Sequence, residues 1–188
     1  MKKVLKLALV VAMMLSATSL FAQKFGRIDM QSLLLSMPET KDMQSKMELF
    51  SKNLQDTYET MNVEFNTKYQ DYMKNMNSMP ESTRQMKETE LNEMGNRRKE
   101  YEQLASQDIQ KEQNRLMAPI ITKAQEAVDK VAKAGTYTGI FQAGTMAYLD
   151  EVAVKDILAE VQTSLGIDPV AAAKAAAEAE AAQAAPAK

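Results

Sequence analysis

Between Glu39 and Met79 the chain contains neither Pro nor Gly, and its apolar residues recur by threes and fours. The series is Met43, Met47, Phe50, Leu54, Tyr58, Met61, Phe65, Tyr69, Tyr72, Met76 and Met79. Its ten steps cover 36 residues, a mean of 3.6. That is the α-helical turn, and it keeps a single apolar stripe on one face throughout. A mean of 3.6 rather than 3.5 predicts a fairly straight helix pair rather than a strongly supercoiled one. At roughly 1.5 Å per residue the helix should be about 60 Å long.

Pro80 ends this run. The residue before a proline is pushed out of the α region, and Ser82 can cap a second helix, so Met79-Pro80-Glu81-Ser82 reads as the tip of a hairpin. That second helical stretch is predicted over 82–134, stopped by Gly135. Its stripe is thinner: Met86, Met94, Tyr101, Leu104, Ile109 and Leu116, with Gln, Asn and charges between. Counting back from the tip brings Glu39 opposite Ile121, close to Pro119. Pairing of the two helices should therefore end where the proline interrupts the second one. The richer segment 120–131 (IITKAQEAVDKV) should root the hairpin in something else.

A bare two-helix hairpin cannot bury a globular core, so the flanks must supply a base. Residues 24–29 (KFGRID) read as a short strand with Phe25 and Ile28 as its apolar members, and 30–36 as a brief helical turn before Pro38. Residues 136–142 and 145–150 are two β-prone runs around Ala143-Gly144, a hairpin-turn signal. A last helix is expected over 152–165, ended by Gly166. The fold class is thus mainly α with a small β head: a long antiparallel, coiled-coil-like helical hairpin projecting from a short-stranded oligomerisation head. The head comprises 23–37 and 135–168, the hairpin 38–134. Such a head is small, and three short strands leave unpaired edges, which predicts self-association. Phe25, Ile28, Ile140, Phe141, Met146 and Tyr148 are the candidate oligomerisation residues. From 169 to 188 the chain is Ala-rich without a stripe to bury, and a mobile tail is expected.

The first 22 residues read as a targeting segment rather than as part of the fold. Lys2, Lys3 and Lys6 form a positive region, 7–15 (LALVVAMML) an apolar run too short to span a bilayer, and 16–22 (SATSLFA) a cleavage region. Cleavage is expected after Ala22, with no Cys following that could carry a lipid anchor. The expectation is an exported, periplasmic chain without stable membrane insertion. Removing three Lys from 23 basic residues against 25 acidic ones leaves a net charge of −5. That disfavours nucleic acid as a partner, which calls for clustered Lys and Arg. The nearest basic cluster, Arg97-Arg98-Lys99, is surrounded by Glu93, Glu100 and Glu102 and reads as a solvated helix face.

Composition also narrows the chemistry. The chain has no Cys, no His and no Trp, but 15 Met. That removes disulfides, thiol nucleophiles, His-based triads and the commonest metal ligands. Asp29, Asp150 and Asp156 read better as strand ends and caps than as a carboxylate pair. An enzyme is not expected, nor a metal or cofactor. Met is flexible and polarizable, and suits surfaces that accept many apolar shapes. The eleven-position stripe is read as seam filling between the helices, but Met73 is displaced one residue from Tyr72, and Met86, Met94 and Met117 lie on a helix with no continuous seam. Adaptable apolar side chains on a long hairpin, with no nucleotide motif, suit holding an unfolded chain rather than acting on it. The candidate client-binding residues are Met61, Phe65, Tyr69, Tyr72, Met73, Met76, Met79, Met86, Met94 and Tyr101.

The order of targeting segment, KFGRIDMQSLLLSMPE, helical hairpin and closing TYTGIFQAGTMAYLDEVAVKDILAEV resembles the Skp/OmpH family of periplasmic chaperones. The likeness covers residues 23–166. It rests most specifically on Gly26-Arg27-Ile28-Asp29 leading to Met37-Pro38-Glu39, and on Ala143-Gly144 through Tyr148 to Lys155-Asp156-Ile157 and Glu160-Val161. The resemblance implies a homotrimer with a β-rich head and three helical arms. It also implies an ATP-independent holdase function toward unfolded outer-membrane proteins. Two features depart from it. Residues 60–115 carry 9 basic and 10 acidic groups, so the cationic arm surface of the best-known member is absent and apolar contact must do more of the binding. Leu158 stands where the closing motif has Thr, which leaves Asp156 to cap the last helix. The competing expectation, from the hairpin alone, is an exported structural spacer joining two envelope components.

Overall fold

The computed structural model describes residues 23–150 and 152–184; the expected targeting segment and its cleavage point after Ala22 lie outside them. The elements are β1 (Lys24–Ile28), α1 (Met30–Ser36), α2 (Pro38–Asn75), a 3-10 turn (Met76–Ser78), α3 (Glu81–Ala134), β2 (Tyr137–Gln142), β3 (Lys155–Asp156), α4 (Leu158–Ser164) and α5 (Pro169–Ala184). They form two compact units, one of residues 38–120 and one of the flanks up to Met37 and from Ile121 onward.

The flanking unit is built on a three-stranded sheet in the order β2-β1-β3, with β1 parallel to both neighbours. Parallel neighbours need a long crossover, and the two long helices between β1 and β2 supply the first one. Gly26 in the central strand is paired with Ile140 on one side and Lys155 on the other. A Cβ there would come within 2.9 Å of Ile140 Cδ1 and 3.3 Å of the Lys155 carbonyl oxygen, so a glycine lets both strands close in. Ile28, Leu33, Met37, Ala124, Ala127, Val128, Ile157 and Val161 make the core of this unit. Asp29 caps α1: its Oδ1 accepts from the amides of Gln31 at 2.9 Å and Ser32 at 3.3 Å, and its Oδ2 from the Ser32 hydroxyl at 2.7 Å. These hydrogen bonds, the Ser32 hydroxyl foremost, hold the Asp29 carboxyl below its ordinary pKa.

Several expectations need correction. The β-hairpin around Ala143-Gly144 does not form. Gly144 takes a φ of +80°, and the Thr145 hydroxyl donates back to the Gln142 carbonyl at 2.7 Å, closing a turn instead of starting a return strand. Residues 145–150 carry no strand. The chain instead passes to the other edge of β1, where the Ile157 amide donates to the Arg27 carbonyl at 3.0 Å and Arg27 Nε lies 3.3 Å from Asp156 Oδ2.

The last head helix starts at Leu158, not Val152. Asp150 Oδ1 takes the amides of Val152 and Ala153 and holds that stretch as a turn. The N-cap residue is Ile157, without a side-chain cap bond; Asp156, one residue earlier, accepts from the Leu158 amide through its Oδ1 at 3.0 Å. Gly166, at φ +76°, ends the helix in a Schellman motif: Ile167 N donates to Gln162 O at 2.9 Å and Gly166 N to Thr163 O at 3.0 Å.

Pro119 does not interrupt the second helix, which runs unbroken through it. Proline removes its own amide donor from the ladder and crowds the carbonyl four residues back, yet the helix continues on either side. Gly135 does follow the last helical residue, yet the left-handed residue is Thr136, at φ +56°. A side chain at 135 would run into the Tyr137 ring, so the glycine is needed there for space. The Ala-rich segment, whose composition favours helix, is helical over Pro169–Ala184. Asp168 Oδ1 accepts from the Val170 amide at 2.9 Å; the helix has no apolar stripe, and most of its residues are exposed.

Candidate functional site

In the unit of residues 38–120, α2 and α3 run antiparallel. The contacts that fix their register rise along one helix as they fall along the other. The Tyr101 hydroxyl donates to the Leu54 carbonyl at 3.2 Å, Arg98 lies 4.8 Å from the centroid of the Phe65 ring, Lys68 pairs with Glu90, and the Tyr72 hydroxyl donates to Glu88 Oε1 at 2.5 Å. The turn between them is the 3-10 segment, extended Met79 and Pro80, with α3 starting at Glu81.

The apolar stripe on α2 and the turn that follows it is the seam. Met43 and Tyr72 are buried, and Met47, Phe50, Leu54, Tyr58, Met61, Phe65, Met76 and Met79 are half-buried. Tyr69 alone swings out, 45% exposed, its ring stacked on Phe65 with centroids 6.0 Å apart. The seam on α3 is equally continuous in space. Positions 84, 87, 91, 94, 98, 101, 105, 109, 112 and 116 are all buried or half-buried. Many are Arg, Lys, Glu or Ala, so the stripe is thin in hydrophobicity only. Long charged side chains cover apolar surface with their stems while their heads stay wet. Lys68 reaches Glu64 at 3.3 Å as well as Glu90, and Lys87 reaches Glu90 at 3.5 Å. The Glu90 bond, then Glu64, raises the Lys68 pKa, and Lys68 lowers that of Glu90. The Glu88 bond raises the Tyr72 pKa. These heads are solvent-screened, so they set register more than stability.

The ten candidate client-binding residues thus separate. Met61, Phe65, Tyr72, Met76, Met79, Met94 and Tyr101 belong to the seam; Met94, expected on a helix without a continuous seam, is 5% exposed. Met73 at 50% and Met86 at 73% stand free of it, with Tyr69. They do not form one patch. Met86 lies beside Glu90 in a shallow depression with Ser82, Gln85, Thr89 and Glu93, on the face of the Lys68–Glu90 pair. Met73 follows Lys68 by five residues, which turns it about 140° around the helix from that pair. The pattern missed Leu49 and Val63, which are exposed on α2. Both are out of phase with the stripe, and that was the only signal for them.

Of the head candidates, Ile28 is spent in the core of its own unit. Phe25 and Phe141 stack with centroids 5.5 Å apart, and Ile140 is half-buried. Met146 and Tyr148 are exposed on the loop after β2, around a cavity of about 190 Å³ that Arg27 and Phe141 also line. Among the described residues no group of three or more Asp or Glu side chains is placed to hold a metal ion, and no helix is long and apolar enough to cross a membrane.

The fold has a counterpart in the crystal structure of a candidate outer membrane chaperone (OmpH-like) from Caulobacter crescentus CB15. It is similar at a TM-score of 0.68 with 8% sequence identity, over 76% of this chain and 83% of that one. No curated protein sequence matches this chain. The family model described as outer membrane protein (OmpH-like) matches residues 24–165. The chain therefore belongs to the OmpH-like family, and a chaperone role stands at the level of that family.

Proposed function

We propose that the chain is an ATP-independent holdase of the periplasm that binds unfolded outer-membrane proteins and prevents their aggregation, acting as a homotrimer. The observation that carries this reading is the apolar surface the hairpin leaves over after its seam is filled. Met73 and Met86 are exposed outside the seam, and Tyr69, stacked on Phe65, keeps 45% of its surface open to solvent. Leu49, Val63 and Leu104 extend that surface along both helices. Flexible thioethers and an aromatic ring scattered over opposed faces suit a client with no fixed shape. A spacer joining two folded partners would need only a rigid seam. Self-association is supported by the outer edges of β2 and β3, which have no strand partner among the described residues, and by exposed Met146 and Tyr148.

The test is dilution of a urea-unfolded outer-membrane β-barrel into buffer containing the purified mature chain without nucleotide, followed by light scattering. Suppression with an end-point near three subunits per client is expected. No suppression at any ratio would overturn the reading in favour of the spacer.

A further inference from the structure

The chain has no Cys, so an oxidant that reaches it finds sulfur only as methionine thioether. The methionines are sharply graded in exposure. Met37 is fully buried, and Met94 and Met43 are buried in the cores of their units. On the hairpin, Met86 and Met73 are the two that are exposed. Both are free of the seam, so changing them leaves helix pairing untouched. Met86 also lies with uncharged Ser82, Gln85 and Thr89 and with Glu90 and Glu93 in a shallow depression, and is 73% exposed.

We propose that Met86 and Met73 are sulfoxidation sites, and that their oxidation by a hydroperoxide turns down client capture while the hairpin stays folded. In the step a sulfur lone pair attacks one peroxide oxygen. The S–O bond forms as the O–O bond breaks, sulfur loses two electrons, and the departing oxygen takes the proton and leaves as water (as alcohol, from an alkyl hydroperoxide). The product is a polar, chiral sulfoxide in place of a flexible apolar group. At a seam position such a change would split the helices. At Met86 and Met73 it alters only what the surface offers to another chain. The inference rests on the holdase reading, but the modification itself does not.

The experiment treats the full mature chain with graded hydrogen peroxide, maps oxygen addition by peptide mass spectrometry, and measures helicity and aggregation suppression on the same samples. Met86 and then Met73 should be oxidised before Met94, Met43 and Met37. At that stage helicity should be unchanged and apparent client affinity lower by roughly tenfold, as loss of apolar contact at two side chains implies. In the double variant M73L/M86L, which keeps the apolar bulk without the thioether, the same treatment should leave client affinity at the variant's own untreated value. Oxidation of Met94 or Met43 in step with Met86 would overturn the assignment of sites. An M73L/M86L variant that loses holding as the wild type does would overturn the switch. If the untreated chain holds no client, the holdase reading fails, and the peptide map alone decides the sites.

Discussion

At the scale of single residues, Asp29 shows how one side chain joins the strand to the helix beyond it. Its carboxylate accepts two amides and a hydroxyl at the start of α1, in the region where Leu33 and Met37 enter the core. Replacing an N-cap of this kind by Ala costs about 1 kcal/mol, so Asp29→Ala should lower unfolding stability by about that much at pH 7. The sign of its pH dependence is set by the direction of the shift. The folded-state pKa lies below the ordinary 3.8, so the contribution is present above that value and is lost as the pH falls through the lower folded-state one. Urea unfolding should therefore find the gap between wild type and Asp29→Ala narrowing below about pH 4. Asp29→Asn, which can cap without ionising, should lose little at pH 7 and show no such narrowing. A constant gap across the acid range would mean that the carboxylate is not the group that matters.

At the scale of elements, the long helices were legible because burial writes a period into the sequence. Every stripe residue from Met43 to Met79 except Tyr69 is buried or half-buried. The facing seam could not be read, because Arg84, Lys87, Arg98 and Glu112 do apolar work with polar heads. That is why Met94 and Met86 looked equivalent in the sequence. The two should part company under mutation. Met94→Ala removes a buried side chain and should cost about 2 kcal/mol in thermal or urea unfolding. Met86→Ala should stay within about 0.5 kcal/mol. The head was harder to read for a different reason. Its third strand is two residues long and is set by a partner distant in sequence. No local pattern in 145–150 could show that Thr145 would close a turn, or that Lys155 would find the far edge of β1.

At the scale of the whole molecule, charge decides between two ways of capturing an unfolded chain. A cationic surface would attract acidic clients over a Debye length, about 10 Å at 0.1 M salt, and would lose that attraction as salt rises. Residues 60–115 hold 9 basic and 10 acidic groups. Several of these are paired with each other: Lys68 and Lys87 with Glu90, Arg84 with Glu81, Arg115 with Glu112. Little net field is left to steer a client, and the exposed Met, Tyr, Leu and Val side chains carry no charge to screen. Client affinity should thus change by no more than about twofold between low salt and 0.5 M, a range over which screened attraction between exposed charges collapses. Fluorescence titration of a labelled unfolded barrel at a series of salt concentrations measures this directly. A steep fall would place capture on ion pairs and strip the exposed apolar side chains of their role. A flat or slightly rising curve is what apolar burial predicts, since excluded salts strengthen it.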